Sequence, residues 1–141
     1  MFVFLQERYE IEDCYKTYMQ EYTSASNVNY DLPSKFLIEF TLWANSVGGY
    51  GGSAFLRFNN SSGAYVGKGS SQSRNITINT TVLNQLPVSE YKTFYLSFEN
   101  GVATLTDGTD SITSSLTLTK LYQINSGGVN GKIKNVKIKA L

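Results

Sequence analysis

Histidine is absent from this chain. That removes any Ser-His-Asp relay and any histidine-ligated zinc. The single cysteine, Cys14, removes an internal disulfide and a cysteine-rich zinc site. With no imidazole to lower its pKa, Cys14 is not read as a nucleophile. The fold must therefore rest on packing, or on contacts with further subunits. Charge is scarce as well. Charged side chains make up 16% of the 141 residues and nearly cancel, 12 basic against 11 acidic. No strong field draws in nucleic acid, so that partner is not expected. No apolar run approaches the length of a membrane span; Met1–Leu5 is apolar but far too short.

Hydroxyls, amides, glycine and tyrosine take the place of charge. From Phe36 onward, short stretches alternate apolar and polar residues and are cut apart by Gly, Asn, Asp and Ser. Phe36–Trp43 is the strongest strand, with Phe36, Ile38, Phe40 and Leu42 on one side and Leu37, Glu39, Thr41 and Trp43 on the other. Ala54–Phe58, Ala64–Gly67 and Asn75–Asn79 follow as shorter strands, with Val82–Val88 read as a loop that caps the core through Leu83, Leu86 and Val88. Thr93–Glu99 and Val102–Asp107 are joined at Asn100-Gly101, the strongest short hairpin signal. Asp107-Gly108 turns into a weaker strand near Ser111–Ser114, and Leu116–Tyr122 alternates less cleanly. In the closing strand, Gly131–Leu141, the residues Ile133, Val136, Ile138 and Ala140 cannot share a face by strict alternation, which predicts a β-bulge near Lys134-Asn135. These units with almost no helical signal between them predict an all-β, two-sheet antiparallel sandwich in one domain.

The first thirty residues are less clear. Ile11, Tyr15, Tyr18 and Tyr22 recur at helical spacing, while Tyr9, Ile11 and Asp13 alternate as in a strand. A strand to about Asp13 followed by a turn is the favoured reading, with Ser24–Asn29 a loop or edge. Residues 1–30 are expected to form an N-terminal strand or docking segment, and residues 31–141 the sandwich. Tyrosine gives contact area at small rotamer cost, so Phe2, Phe4, Tyr15, Tyr18 and Tyr22 are expected at an interface with other structural subunits, in an oligomer or larger assembly. The competing reading is ordinary core and edge strand.

Three passages carry a family resemblance. Pro33-Ser34-Lys35-Phe36-Leu37-Ile38-Glu39-Phe40, the Tyr91–Leu105 hairpin, and Gly131-Lys132-Ile133-Lys134-Asn135-Val136-Lys137-Ile138 resemble the opening strand, central hairpin and final strand of concanavalin A-like, laminin-G-like jelly-roll domains. They encode shape; none is a catalytic signature. The Gly-, Ser- and Thr-rich texture, with Glu12-Asp13-Cys14 ahead of the sandwich, also looks like modules of viral structural proteins, in the fibres and capsid decorations of viruses of bacteria or archaea. The resemblance implies a non-enzymatic structural or attachment module at a virion or extracellular surface that contacts host glycans. The alternative is a carbohydrate-binding module of a microbial surface protein or larger enzyme.

Glycosidases of the superfamily use two carboxylates about 5 Å apart on one strand, often as Glu-x-Asp-x-x-Glu. No such motif occurs, and Glu10, Glu12 and Asp13 form the only dense acidic cluster, so no enzyme is expected. No cofactor is expected either, with calcium the open option because it needs only oxygen ligands. Its candidate ligands are Glu12 and Asp13, or Asp107 and Asp110, and solvated turns are the competing reading. Sugar binding calls for an aromatic platform flanked by amides, and Trp43, Tyr50 and Tyr65 with Asn45, Arg57 and Asn59 are the candidates. Lys132, Lys134, Lys137 and Lys139 read as guards of an edge strand, with a polyanion-binding strip as the alternative.

Overall fold

The computed structural model describes residues 15–45, 54–68, 74–126 and 131–141. Within them lie β1 (Tyr15–Tyr18), β2 (Ser26–Asp31), β3 (Phe36–Ala44), β4 (Ala54–Phe58), β5 (Tyr65–Lys68) and β6 (Asn75–Ile78). There follow β7 (Thr81–Gln85), β8 (Lys92–Glu99), β9 (Val102–Thr106), β10 (Ser111–Ser115), β11 (Lys120–Ile124) and β12 (Gly131–Ala140). They form two antiparallel six-stranded sheets, β1-β12-β3-β8-β9-β10 and β2-β11-β4-β5-β6-β7. This is the expected jelly-roll sandwich. Among the described residues no helix is long and apolar enough to cross a membrane.

The core lies between the sheets, where the alternation predicts it. Phe36, Ile38, Phe40 and Leu42 of β3 are fully buried, as are Phe94 and Leu96 of β8. The register pairs Phe36 with Phe98 and Phe40 with Phe94. Each pair stacks, with ring centroids 5.4 and 6.0 Å apart. Burying each such ring contributes about 1.5–3 kcal/mol. Asn100 and Gly101 take φ of 53° and 76°, the double positive turn that the β8–β9 hairpin requires.

The predicted bulge is present in β12. Lys134 pairs with Thr41 and Lys137 with Glu39, so Asn135 and Val136 face one residue of β3. Asn135 takes the extra position at φ 56°. The inserted residue inverts the alternation, and Ile133, Val136 and Ile138 are all buried.

Several expectations need correction. Val82–Val88 is not a loop: residues 81–85 form β7, paired with β6 through a turn at Asn79 (φ 48°). Of its expected caps Leu86 is buried and Leu83 packs against the core, while Val88 is 43% exposed. Tyr15–Tyr18 is a strand on the edge of the first sheet, paired with β12, not a turn. Phe55, which strict alternation with Ala54, Leu56 and Phe58 inside would turn outward, is fully buried because a bulge between Ala54 and Leu56 turns it inward. The four lysines do not guard an edge, since β12 lies between β1 and β3. Met1–Leu5 with Phe2 and Phe4, the acidic cluster with Glu12 and Asp13, Cys14, and the Ser46–Ser53 loop with Tyr50 lie outside the described residues.

Candidate functional site

Two physical facts build a polar, aromatic surface on the outside of the first sheet. Strict alternation in β3 sends Leu37, Glu39, Thr41 and Trp43 outward. The bulge in β12 sends out Lys132 and Lys134 before Asn135, and Lys137 and Lys139 after it. The register sets Lys132 beside Trp43, Lys134 beside Thr41, Lys137 beside Glu39 and Lys139 beside Leu37. β8 continues the rows with Thr93 beside Thr41, Tyr95 beside Glu39 and Ser97 beside Leu37. Leu42 is paired with Lys92, so Trp43 and Tyr91 come next on adjacent strands.

At the Trp43 end the side chains are linked. The Lys132 ammonium lies over the Trp43 ring, 4.6 Å from its centroid, and the Lys134 ammonium over Tyr91 at 3.9 Å. Each such contact is worth about 0.5–1 kcal/mol at an exposed site. The Tyr91 hydroxyl donates to the Glu21 carboxylate, whose other oxygen lies 4.0 Å from Lys132 Nζ. That hydrogen bond to Glu21 is the main reason the Tyr91 phenol is pushed above its ordinary pKa. Glu21 is brought here by its neighbour: Tyr22 pairs with Ile133 through backbone hydrogen bonds of 2.7 and 3.2 Å. Tyr91 remains 45% exposed and Trp43 is half-buried. Further along, Lys137 pairs with Glu39 at 3.6 Å, and the Thr41 and Thr93 hydroxyls are 2.9 Å apart.

The remaining candidates do not join this site. Asn45 follows Trp43 at the end of β3 and is half-buried. Arg57 and Tyr65 are cross-strand neighbours in the second sheet, with the guanidinium 5.2 Å from the ring centroid. Their strand neighbours Leu56, Phe58 and Val66 are core, so they face the opposite side of the molecule from Trp43. Asn59 is structural. Its amide nitrogen donates to the Thr117 carbonyl at 2.7 Å and its oxygen accepts from the Thr119 amide at 2.9 Å, pinning the β10–β11 connection. Tyr22, expected at an interface, is only 7% exposed and belongs to the core, and Tyr18 packs against it; burial raises the pKa of both phenols. Tyr15 is 38% exposed at the sheet edge.

Asp107 and Asp110 do not form an open cation site. Asp107 accepts hydrogen bonds from the Thr109 and Asp110 amides at 2.9 and 2.8 Å and from Asn84 Nδ2 at 2.8 Å. Its carboxylate is 2.9 Å from Lys92 Nζ, and its side chain is only 5% exposed. The Asp110 amide, then Lys92, then the Thr109 amide hold the Asp107 pKa well below the usual carboxylate range. Among the described residues no group of three or more acidic or cysteine side chains could hold a metal ion. A recess of about 490 Å³ opens at the other end of β3, lined by Leu32, Pro33, Phe98, Leu116 and Leu118 among others. No charged side chain lines it.

Sequence reasoning missed Tyr91, Glu21 and the two lysines as partners of Trp43. The signal for the lysines was available in the bulge, which puts all four on one face. Glu21 carries no motif and is found only through the pairing of Tyr22 with Ile133.

No family model matches the chain, and no curated protein matches it. Solved structures do. A mutant of Trypanosoma rangeli sialidase displaying trans-sialidase activity matches with a TM-score of 0.55 and 12% identity, over 74% of this chain. The chain spans about a fifth of that protein, 20% of its length. The potassium-bound carbohydrate recognition domain of Emp46p matches more loosely, with a TM-score of 0.38 and 10% identity over 91% of this chain and 88% of that one. At such identities the sialidase likeness is one of fold, and it agrees with the β-sandwich built above.

Proposed function

We propose that this chain is a non-catalytic carbohydrate-binding module whose binding surface is the outer face of the first sheet at Trp43 and Tyr91. One observation carries the reading. Two aromatic rings follow each other on adjacent strands, ringed by Lys132, Lys134 and Glu21, on a face otherwise rich in hydroxyls. An aromatic face offers area to the apolar side of a sugar, while charged and hydroxyl groups beside it meet the sugar hydroxyls. The absence of catalysis is part of the proposal. Among the described residues the acid with the most displaced pKa is Asp107, which the Asp110 amide and Lys92 hold ionised, so it has no proton to deliver at neutral pH. An extracellular or virion surface, expected from the sequence texture, remains the proposed setting, where such a module serves attachment.

The test is a glycan array followed by calorimetry with the best ligand. Trp43→Ala and Tyr91→Ala should each weaken binding by roughly tenfold, the loss of about 1–1.5 kcal/mol of ring contact. Arg57→Ala, on the opposite face, should leave affinity unchanged. Binding that survives loss of both rings, or that is lost with Arg57 alone, refutes the surface. A polysaccharide hydrolysed by the chain refutes the absence of catalysis.

A further inference from the structure

We infer that the ligand of this face is an acidic polysaccharide laid along β12, contacted by Lys132, Lys134, Lys137 and Lys139. The inference rests on the carbohydrate-binding reading above and names its substrate class. β12 is paired with β3 on one side and, on the other, with β1 at Val136–Lys139 and with Tyr22 at Ile133, so its lysines have no open edge to protect. The bulge at Asn135 is what aligns them. Without the inserted residue Lys137 and Lys139 would turn into the core; with it, all four share the outer face.

Charge on this face does not cancel. Lys132 is paired with Glu21 and Lys137 with Glu39. Lys134 lies over Tyr91, and its neighbour in β3 is Thr41. Lys139 stands between Tyr15 and Leu37. Among the described residues the four ammonium groups thus face two carboxylates, in a chain whose whole net charge is +1. At the far end of the face Lys35 and Glu99 lie 3.9 Å apart and offset each other.

Successive outward residues on a strand are about 7 Å apart, so the row runs for about 20 Å. A single terminal sugar meets one of these lysines; an extended chain meets the row. The rest of the face favours sugar over nucleic acid. Thr93, Tyr95 and Ser97 of β8 supply neutral hydroxyls one strand beyond β3, and a surplus of two positive charges is small against the several phosphates that a nucleic-acid-binding protein neutralises. Carboxylated and sulfated polysaccharides share the chemistry that lysine reads.

The test measures binding of the whole chain to polygalacturonate, κ-carrageenan (sulfated, without carboxylates), neutral dextran and single-stranded DNA, each at low and at raised salt. Polygalacturonate or κ-carrageenan should bind, more weakly as salt rises; whichever binds more tightly identifies carboxylate or sulfate as the anion read. Lys134→Gln with Lys139→Gln should weaken that binding by roughly tenfold. Lys134→Arg with Lys139→Arg should restore it, which separates charge from folding. Dextran bound as well as the acidic polymers, or acidic binding indifferent to the glutamine pair, overturns the inference and leaves the Trp43 surface standing. DNA bound as tightly as the polysaccharides overturns it as well, in favour of a general polyanion strip. If no glycan of the array or of this panel binds, the carbohydrate-binding reading itself fails.

Discussion

Asp107 gives the sharpest physical test of how the two sheets are held together. It sits at the β9–β10 turn of the first sheet, and its carboxylate accepts from Asn84 of β7, the edge strand of the second. Lys92 at 2.9 Å and the Thr109 and Asp110 amides complete its shell. Hydrogen bonds to a charged acceptor contribute about 1.5–3 kcal/mol each, and part of that is offset by burying the carboxylate. Asp107→Asn keeps the shape but removes the charge opposite Lys92, so the expected loss is about 2–3 kcal/mol. In a domain of this size that lowers Tm by roughly 6–12 °C at pH 7. The pH dependence has a fixed sign. Because the folded-state pKa is depressed, the stabilisation is present above the unfolded value of about 3.9 and is lost as pH falls from there towards the folded value. Thermal unfolding followed by circular dichroism from pH 7 to pH 2 reads it. The wild type should lose its advantage over Asp107→Asn as pH drops below about 4. A variant as stable as the wild type at pH 7, or a gap that does not narrow in acid, refutes the reasoning.

Two further substitutions probe the supports of the binding face. Asn135 holds a left-handed conformation at φ 56°, so Asn135→Gly should be close to neutral while Asn135→Val should cost about 1–2 kcal/mol in chemical denaturation; equal stabilities would mean the bulge has relaxed. Asn125 is buried and its amide donates to the carbonyls of Tyr22 at 3.0 Å and Gly131 at 3.4 Å, joining the strand that carries Lys132 to the segment that carries Glu21. Asn125→Ala should therefore destabilise by about 1–3 kcal/mol and weaken glycan binding by calorimetry at a temperature where the fold is intact; full affinity there would detach Asn125 from the site.

The chain's own pattern reached far into the fold because period-two alternation is a local signal. The inner rows at Phe36–Leu42 and Phe94–Phe98, the Asn100-Gly101 hairpin and the bulge at Asn135 were all legible, since each follows from side-chain direction or from a residue that tolerates positive φ. β7 was not, because Thr81–Gln85 pairs as an edge strand and only partly buries its residues. Phe55 was not, because a bulge makes two neighbours face inward. Among the described residues, Trp43 alone of the expected binding residues lies at the site assembled by the fold. Arg57 and Tyr65 were indistinguishable from site residues until the sheets were assigned, and Asn59 until its carbonyl and amide partners were known.

The amino-acid order alone determined that this is an all-β chain without histidine chemistry, and the main rows that line its interior, because side-chain direction in a regular strand alternates along the chain. Which outward residues meet was decided only by tertiary structure. Trp43, Tyr91, Lys132 and Glu21 are separated by many residues, and they converge because strand order and register set them side by side. Those are properties of long-range pairing, and no local pattern encodes them.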